Sequence, residues 1–476
     1  MELLFESRLD VRNVAGKVYF VQRSPELHPE PVLNPDTFVD GTGTSIYGSV
    51  LQDGGRYRMW YQAWPKNWSG SDSAWVGYAE SDDGLTWRKP SLKLVDHNGL
   101  DNNLSDLGFH SPSVFIDPDA PSDKRYRATG CSSDPQYGGN PAATVRGYYT
   151  AHSSDGLHWE LDCTEPTWRG SDVITSIYHP GRGGAQVALK FAPRANGFRR
   201  RSVWTAALDG DQWTEPVASL IPDEFDDVCA AARGYASGDY YGMGMLPAGK
   251  ATVGFLWHFR HDLPRTRGNG AGVFGAVDVG LAYQSGAGDC WRHLSGRPDF
   301  IPHGAPPWSR GGIYTAANVV DAGDEHRLYL SGTPHSHGWY LDAEWKRLDD
   351  RMQQLIEEGL ARIGFARWPK WRLFGFRADP TGSLDIDLGP IDKPSRLALN
   401  YETESGGSIR TELLDNGKPL ADRGTDDSVA LTGEGIASTV AWRDGDILKP
   451  SDGKVVTAKL HLETATVYAF EVLPAV

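Results

Sequence analysis

Three aspartates stand at the entry of strand-like segments, where carboxyl groups from distant parts of a chain can meet. Asp40 lies in FVDGTGTSIYG, Asp172 lies in GSDVITSIYH, and Asp227 precedes a later strand. Two carboxyl groups that meet can divide acid and base chemistry between them, one protonated as the acid and one ionised. We predict Asp40 as nucleophile or base, Asp172 as acid or transition-state stabiliser, and Asp227 as the substitute acid. The alternative is that each aspartate caps a turn.

Aromatic and polar residues in equivalent places are predicted to bind substrate. The chain has 17 Trp and 19 Tyr, and aromatic faces suit sugar rings because they offer apolar area beside a wet rim. The predicted substrate-binding residues are Trp64, His110, Tyr235, Asp239, His258, Arg260, Arg310 and His335. His110 is also a candidate general acid. The basic segment WHFRHDLPRTRGNG (257–270) could hold a carboxylated or sulfated sugar, or could be a solvated loop.

A repeated phrase defines the elements that would position these residues. AESDDGLTW (79–87) and AHSSDGLHW (151–159) share Ser-x-Asp-Gly-x-x-Trp, and weaker echoes end at Trp213 and Trp291. The Asp-Gly pair predicts a tight turn, and the Trp is expected to lie between adjacent sheets. Repetition at this loose spacing favours a radial array of β-sheets.

Alternating strand-like segments divide the chain into five such units between residues 36 and 375. The first strand of each unit would line a central channel, so carboxyls far apart in sequence would converge at one mouth. The fifth unit carries an insertion, 342–360, whose apolar residues have helical spacing, with Asp342 as the predicted N-cap. After residue 378 shorter alternating segments predict a separate antiparallel sandwich.

These features resemble the five-bladed β-propeller glycosidases, the superfamily of invertases, levanases and arabinanases, and within it an uncharacterised bacterial branch with a C-terminal β-sandwich. Stretches such as RYRMWYQAW, YGMGMLP and GSIRTELLD with TVYAFEV carry the resemblance. It implies an all-β fold: a five-bladed β-propeller over residues 1–378 with one helical insertion in the last blade, then an antiparallel β-sandwich over 379–476. The family motifs Asn-Asp-Pro, Arg-Asp-Pro and Glu-Cys are absent, and His110-Ser111-Pro112 stands where Arg-Asp-Pro would be.

The resemblance implies a glycoside hydrolase, exo-acting on short oligosaccharides that contain furanosides such as fructosides or arabinosides. Two alternatives stay open: a transglycosylase or phosphorylase on the same scaffold, and a carbohydrate-binding propeller without catalysis. A pair of carboxyl groups at one channel mouth would favour hydrolysis, and a channel lined only by Trp, His and Arg would favour binding.

Composition restricts the partners and the compartment. The formal net charge is −15, which argues against nucleic acid or an anionic membrane as partner. The four cysteines form no C-x-x-C pair, so we predict no metal and no cofactor. The start MELLFESRLD lacks a basic segment followed by an apolar one, which predicts a cytoplasmic location. The 342–360 helix or the sandwich could support a homo-oligomer.

Overall fold

Antiparallel strands dominate the computed structural model and confirm the prediction of a nearly all-β chain. The model describes residues 1–6, 11–66, 68, 75–132, 139–170, 172–195, 198–264, 272–304, 306–415 and 417–475. Residues 265–271, which include much of the predicted basic segment, lie outside this set. In the described part of the chain no helix is both long and apolar enough to cross a bilayer.

Between residues 43 and 369 the described strands form five consecutive groups, numbered below as sheets 1 to 5 in chain order, and one small hairpin of Arg194–Ala195 with Phe198–Arg199. Sheet 1 contains Gly43–Asp53, Arg56–Trp64 and Trp75–Ser81; sheet 2 contains His110–Ile116, Tyr126–Ser132, Gly147–Ser153 and Glu160–Leu161. Sheet 3 contains Ile174–His179, Gly184–Phe191, Ser202–Asp209, Gln212–Trp213 and Val217–Leu220; sheet 4 contains Ser237–Ala248, Ala251–His261, Gly275–Gln284, Arg292–His293 and Asp299–Ile301. Sheet 5 contains Gly312–Thr315, Val320–Asp321, Glu325–Thr333 and Arg362–Pro369, with Glu26–Leu27 paired on its outer edge. Sheets 4 and 5 are joined where Val277 pairs in parallel with Gly312.

The repeated phrase folds into the same turn in both copies. Asp83 Oδ1 accepts hydrogen bonds from the backbone N–H groups of Leu85 (2.7 Å) and Thr86 (2.8 Å), and Asp155 Oδ1 does the same for residues 157 and 158. The ring of Trp87 then packs edge-on against Tyr329 of sheet 5, at 5.7 Å between centroids. The predicted turn is therefore confirmed, and its bonds lie almost entirely within the phrase.

Hydrogen bonds connect the first, inner strand of each sheet to the inner segment of the next. They link Ser49 with Val114, Ser113 with Ser176, Thr175 with Met243, Met245 with Ala317, and Asn318 with Val50. In sheet numbers this order is 1–2, 2–3, 3–4, 4–5 and 5–1. Hydrogen bonds between inner segments therefore run from each sheet to the next and from sheet 5 back to sheet 1.

The closeness of the inner strands requires glycine at position 48. A Cβ at Gly48 would lie 1.9 Å from the backbone oxygen of Trp60 and 2.9 Å from that of Pro112. Neither backbone oxygen can move aside without breaking its sheet. We therefore expect Gly48→Ala to lower the free energy of unfolding by about 3 kcal/mol, as overpacking does in a tight interior.

Urea unfolding of the variant would measure this loss. The matched control is Gly424→Ala, since the nearest atom to a Cβ there is an Asp427 carboxylate oxygen at 3.7 Å. Equal stability of the two variants would contradict the expected crowding at Gly48.

A further sheet contains both ends of the chain. Its strands are Val11–Gln22, Phe374–Pro390, Val455–Pro474, Ser395–Asp415 and Lys418–Pro419, with Glu2–Leu3 and Glu434–Thr439 paired on its longer strands. Phe374–Pro390 runs across residue 378, where the sequence suggested a limit between two domains, and Val11–Gln22 pairs with it. The division into domains 1–378 and 379–476 stays a prediction, as does the sandwich.

The helical insertion is shorter and more broken than predicted. Residues 342–360 do not form one helix: short 3-10 turns occupy Trp339–Leu341 and Trp345–Arg347, and an α-helix occupies Arg351–Glu358. Asp342 caps only the second turn, since its Oδ1 accepts from the N–H groups of Glu344 and Trp345, and the backbone is extended again at Leu348. A second α-helix, Glu224–Ala231, was not predicted, and its capping box is formed by Asp223 and Asp226.

Candidate active site

A pocket lies where the inner strands of all five sheets begin. Most of the side chains around it are aromatic or imidazole rings. The lining residues are Ser45, Tyr47, Trp64, Trp68, His110, Asp172, Tyr241, Tyr314, Thr333, His335, Ser336, His337, Gly338, Trp339, Tyr340 and Leu360. Asp172 is the only carboxylate among these described residues, so it dominates the charge of the pocket.

Backbone bulges direct two of the tyrosines into the pocket. The pairing register shifts between Ser45 and Ser49 in sheet 1, and between Tyr240 and Met243 in sheet 4. A bulge leaves an extra residue unpaired and changes the direction of a side chain, which is why bulges are frequent beside functional sites. Tyr47 and Tyr241 lie in these two bulges, and both contact Tyr314 of sheet 5 edge-on, at 5.4 and 5.6 Å.

Asp172 is held by Lys190 and lies close to His110. Lys190 Nζ lies 2.5 Å from Asp172 Oδ2, and His110 Nε2 lies 3.6 Å from Asp172 Oδ1. Burial alone would raise the pKa of this carboxyl group, but Lys190 and His110 outweigh burial and hold the pKa well below its usual range. Asp172 is therefore ionised at neutral pH, while 24% of its side chain remains exposed to the pocket.

The backbone of Asp172 is strained. Its φ is +92°, a value that residues with a Cβ rarely adopt. Such strain costs on the order of 1–3 kcal/mol and persists only where surrounding contacts impose it, most often at functional sites. The contact with Lys190 is one that fixes the carboxylate in this conformation.

Tyr241 and His337 form an oriented hydrogen-bonded pair on the sheet 4 side. His337 Nδ1 donates to the backbone oxygen of Val273 (2.5 Å), so Nε2 accepts from the Tyr241 hydroxyl at 3.0 Å. Burial lowers the pKa of His337 to about 4, which keeps the ring neutral near pH 7. The Tyr241 hydroxyl therefore donates to His337, and the Tyr241 side chain lines the pocket.

The segment that follows strand Glu325–Thr333, which also contains His337, forms a further part of the pocket wall. The ring of His335 stacks on Trp339 at 4.0 Å between centroids, and its Nε2 lies 2.7 Å from Glu358 Oε2. Burial lowers the pKa of His335, and the nearby Glu358 opposes that shift. Trp68 contacts both Trp64 (5.3 Å) and Tyr340 (5.0 Å), so rings continue from sheet 1 to this segment.

Four of the predicted site residues line the pocket: Trp64, His110, Asp172 and His335. Asp40 does not. Its Oδ2 accepts from Tyr61 (2.7 Å) and lies 2.6 Å from Lys89 Nζ, while its Oδ1 accepts from the N–H and hydroxyl of Thr37 (2.9 and 2.7 Å). The side chain is fully buried. The structure therefore does not bring Asp40 and Asp172 together, and Asp40 has the contacts of a turn cap.

Asp227 and Asp239 also lie outside the pocket lining. Asp227 belongs to helix Glu224–Ala231 and accepts from Arg200 Nη2 and from the N–H of Gly238, both at 3.0 Å. Asp239 is buried in sheet 4, where its Oδ2 lies 3.0 Å from His261 Nε2. Both carboxylates serve ion pairs that connect sheets 3 and 4.

The remaining predicted residues belong to sheet 4 or to the surface. Arg260 is fully buried and donates to Asp278 (3.1 Å) and Asp299 (2.9 Å). Tyr235 contacts His303 Nε2 at 3.0 Å, and burial holds the pKa of His258 well below its ordinary value. These three residues are absent from the lining. Arg310 is exposed and donates to the backbone oxygen of Pro334.

Several residues in or beside the pocket were not predicted, and the most important of them is Lys190, which contacts Asp172 without lining the pocket. Its position does carry a signal: in AQVALKFAP one charged residue interrupts an otherwise apolar strand. A lysine is rarely buried without a partner, so such a residue indicates a buried carboxylate nearby. Tyr241, in YGMGMLP, carries no comparable signal, because its direction depends on the bulge.

Within the described residues, no three His, Cys, Asp or Glu side chains are grouped as metal ligands. No family model matches the chain. Two uncharacterized proteins of Mycobacterium tuberculosis, from strains CDC 1551 / Oshkosh and ATCC 25618 / H37Rv, are 30% identical to it over 145 residues. That stretch is 27% of this chain and 40% of each relative.

Solved structures similar to the chain include one named "Glycoside hydrolase", with a TM-score of 0.46 and 12% identity over 73% of this chain and 92% of that one. An exo-beta-1,3-galactanase from Phanerochaete chrysosporium has a TM-score of 0.39 and 12% identity over 95% of this chain and 100% of its own. At scores and identities this low, the likenesses establish neither a common fold nor a common activity.

Proposed function

We propose that the protein is a carbohydrate-active enzyme that cleaves a glycosidic bond in this pocket. The observation that carries the proposal is an ionised, strained carboxylate, Asp172, exposed to a pocket walled by aromatic rings. Aromatic faces pack against the apolar faces of sugar rings, and the ionised carboxylate can stabilise or attack the positive anomeric carbon of the transition state.

The electrostatics change the role that the sequence suggested for Asp172. An acid must hold its proton near neutral pH, and a carboxyl group with so low a pKa cannot. We therefore assign Asp172 as nucleophile or charge stabiliser rather than as acid.

The proton donor is assigned to His335 and acts on the acid side of neutral pH, because burial lowers the pKa of its ring while the nearby Glu358 opposes that shift. The two catalytic groups of a glycosidase stand about 5–5.5 Å or more apart, on opposite sides of the bond. His110 lies only 3.6 Å from Asp172 and comes from the neighbouring sheet, so its role is to orient the carboxylate. His335 follows a strand of sheet 5, across the ring from sheet 3, and is paired with Glu358.

Leaving-group dependence distinguishes the two histidines. His335→Gln should lower kcat on an oligosaccharide by roughly 10²-fold or more, as loss of a general acid does. The loss should be much smaller on a nitrophenyl glycoside, because that leaving group departs without a proton. His110→Gln should slow both substrates by a similar factor, because it acts through Asp172. Steady-state kinetics on both substrates would measure these effects, and the same loss on both for His335→Gln would contradict its role.

We further propose that the ring of five sheets is a five-bladed β-propeller and that the C-terminal sheet is part of a sandwich. The closed order of inner-strand hydrogen bonds supports the first statement. The resemblance to invertases, levanases and arabinanases supports exo-action on short fructosides or arabinosides. The cytoplasmic location and a homo-oligomer stay predictions.

One observation favours a second candidate, a carbohydrate-binding protein without hydrolysis: the described pocket lining contains one carboxylate. A screen of nitrophenyl glycosides and oligosaccharides, with calorimetric titration of the same sugars, would separate the two. Turnover of any of these substrates supports the enzyme. If sugars bind in a way that depends on Asp172 but none is cleaved, the carbohydrate-binding protein would replace the enzyme as the proposed function.

A further inference from the structure

Lys190 is a buried cation beside the pocket rather than on its wall. It lies in strand Gly184–Phe191 of sheet 3, and its side chain is 7% exposed. It is absent from the residues that line the pocket. Any effect it has on a bound sugar must therefore pass through the residues that it contacts.

Two of those contacts are with residues that do line the pocket. Lys190 Nζ lies 2.5 Å from Asp172 Oδ2 and 3.6 Å from the centre of the Tyr241 ring. An ammonium ion over an aromatic face is attracted by the electrons of the ring. One charge thus fixes both the carboxylate from sheet 3 and the aromatic ring from sheet 4.

We propose that Lys190 is the positioning residue of this site: its ammonium holds the Asp172 carboxylate and the Tyr241 ring at the geometry that a sugar requires. This inference rests on the proposed function of the same pocket. It adds that activity depends on the charge of Lys190, a group that never touches the substrate.

Other titratable groups surround Lys190. Asp172, Arg201 and Cys131 act on its charge, its ammonium faces the Tyr241 ring, and it acts in turn on His337, which follows strand Glu325–Thr333. Tyr148 donates to the backbone oxygen of Lys190, and His110 lies beside Asp172. Burial lowers the pKa of Lys190 to about 8, while Asp172 opposes that shift. Below this pH the ammonium is present, and above it the neutral amine no longer offsets the burial of Asp172. The charge would therefore be lost within a pH range that the folded protein can be tested in.

The kinetic test compares Lys190→Arg and Lys190→Met with the wild type over pH 5–10, on a nitrophenyl glycoside that needs no proton donor. We expect the wild-type kcat/KM to fall above about pH 8. Lys190→Arg should retain activity and lose this alkaline fall, because arginine stays charged throughout. Lys190→Met should lose roughly 10²-fold in kcat, the cost of a misplaced reacting group, and its acidic limb should move to higher pH.

If Lys190 had only a structural role, replacing it would change the amount of folded enzyme but would move neither the acidic nor the alkaline limb of the pH profile. Superimposable pH profiles for Lys190→Met and wild type, after scaling for folded protein, would overturn the proposal. So would an alkaline fall that persists unchanged in Lys190→Arg. The double variant Asp172→Asn with Lys190→Met removes both charges and serves as the control for folding.

A second measurement needs no activity and so separates this inference from the proposed function. Titration of the aspartate carboxyl carbons by NMR, with Asp172→Asn to assign the signal, follows ionisation of Asp172 directly. We expect its midpoint to rise when Lys190 becomes Met and to stay low when Lys190 becomes Arg. An unchanged midpoint in Lys190→Met would refute the inference, whatever sugars the protein cleaves.

Discussion

Replacing Asp172 by Asn is expected to lower kcat by roughly 10³-fold while the protein stays folded. The substitution keeps the volume of the side chain but removes its negative charge, and loss of one group that stabilises charge in the transition state typically costs roughly 10²–10³-fold in kcat. Asn tolerates positive φ better than most residues, so the strained backbone at +92° is preserved. Lys190 loses its anionic partner, but with a pKa already lowered to about 8 it can release its proton rather than stay buried as a charge.

Steady-state kinetics and a thermal melt of the same preparation would measure both effects. His110→Gln, which leaves the carboxylate in place, is the matched variant on the other partner and should lose less. Full turnover in Asp172→Asn would contradict the assignment of the carboxylate. An unfolded variant would instead show that Asp172 serves the fold.

The strand pattern could be predicted from sequence wherever the decisive contacts are local. In the two Asp-Gly-Trp phrases, Asp83 and Asp155 bond to residues two and three positions away, so a nine-residue window contains the information. The pairing of Val11–Gln22 with Phe374–Pro390 could not be predicted in this way. Nothing in residues 11–22 specifies a partner more than 350 positions away. The prediction of one helix over 342–360 was wrong for another reason. Asp342 caps only a short turn, and the apolar spacing of the sequence continues across the break that follows this turn.

The candidate site was predictable only as far as local position along the chain determines it. Asp40 and Asp172 both stand where a chain enters an inner strand, and position alone gives them equal rank. What separates them is the set of groups that reach each carboxylate. Thr37, Tyr61 and Lys89 saturate Asp40 within the protein interior, while Lys190 and His110 leave an edge of Asp172 open to the pocket. Lys89 and Lys190 come from segments that no spacing rule connects with these aspartates.

This difference leads to the opposite expectation for Asp40→Asn. The variant should lose about 3 kcal/mol of unfolding free energy, because it breaks a buried ion pair and leaves the buried Lys89 with only the exposed Asp36 as its anionic partner. Asp40 is fully buried against Lys89, itself 8% exposed, and its oxygens also receive the Tyr61 hydroxyl and Thr37. An amide at this position would place an NH₂ group, which can only donate, beside side chains that also donate hydrogen bonds. The kcat of the fraction that remains folded should stay within a few-fold of wild type, since Asp40 does not line the pocket.

Asp36→Asn provides the matched control, because Asp36 pairs with the same Lys89 Nζ but is 68% exposed. Exposed pairs contribute roughly 0–1 kcal/mol, so this variant should unfold close to wild type. Urea unfolding of the two variants, with kcat corrected for folded protein, would measure the contrast.

If Asp40→Asn kept its stability and lost its turnover, Asp40 would be a catalytic group after all, and the pocket around Asp172 would need a second carboxylate from outside its present lining. If both variants lost stability equally, Lys89 would be the stabilising residue, and Asp36 and Asp40 would be equivalent as its partners. Only the combination of a destabilised, active Asp40→Asn and a stable, inactive Asp172→Asn separates the buried cap from the carboxylate that faces the substrate.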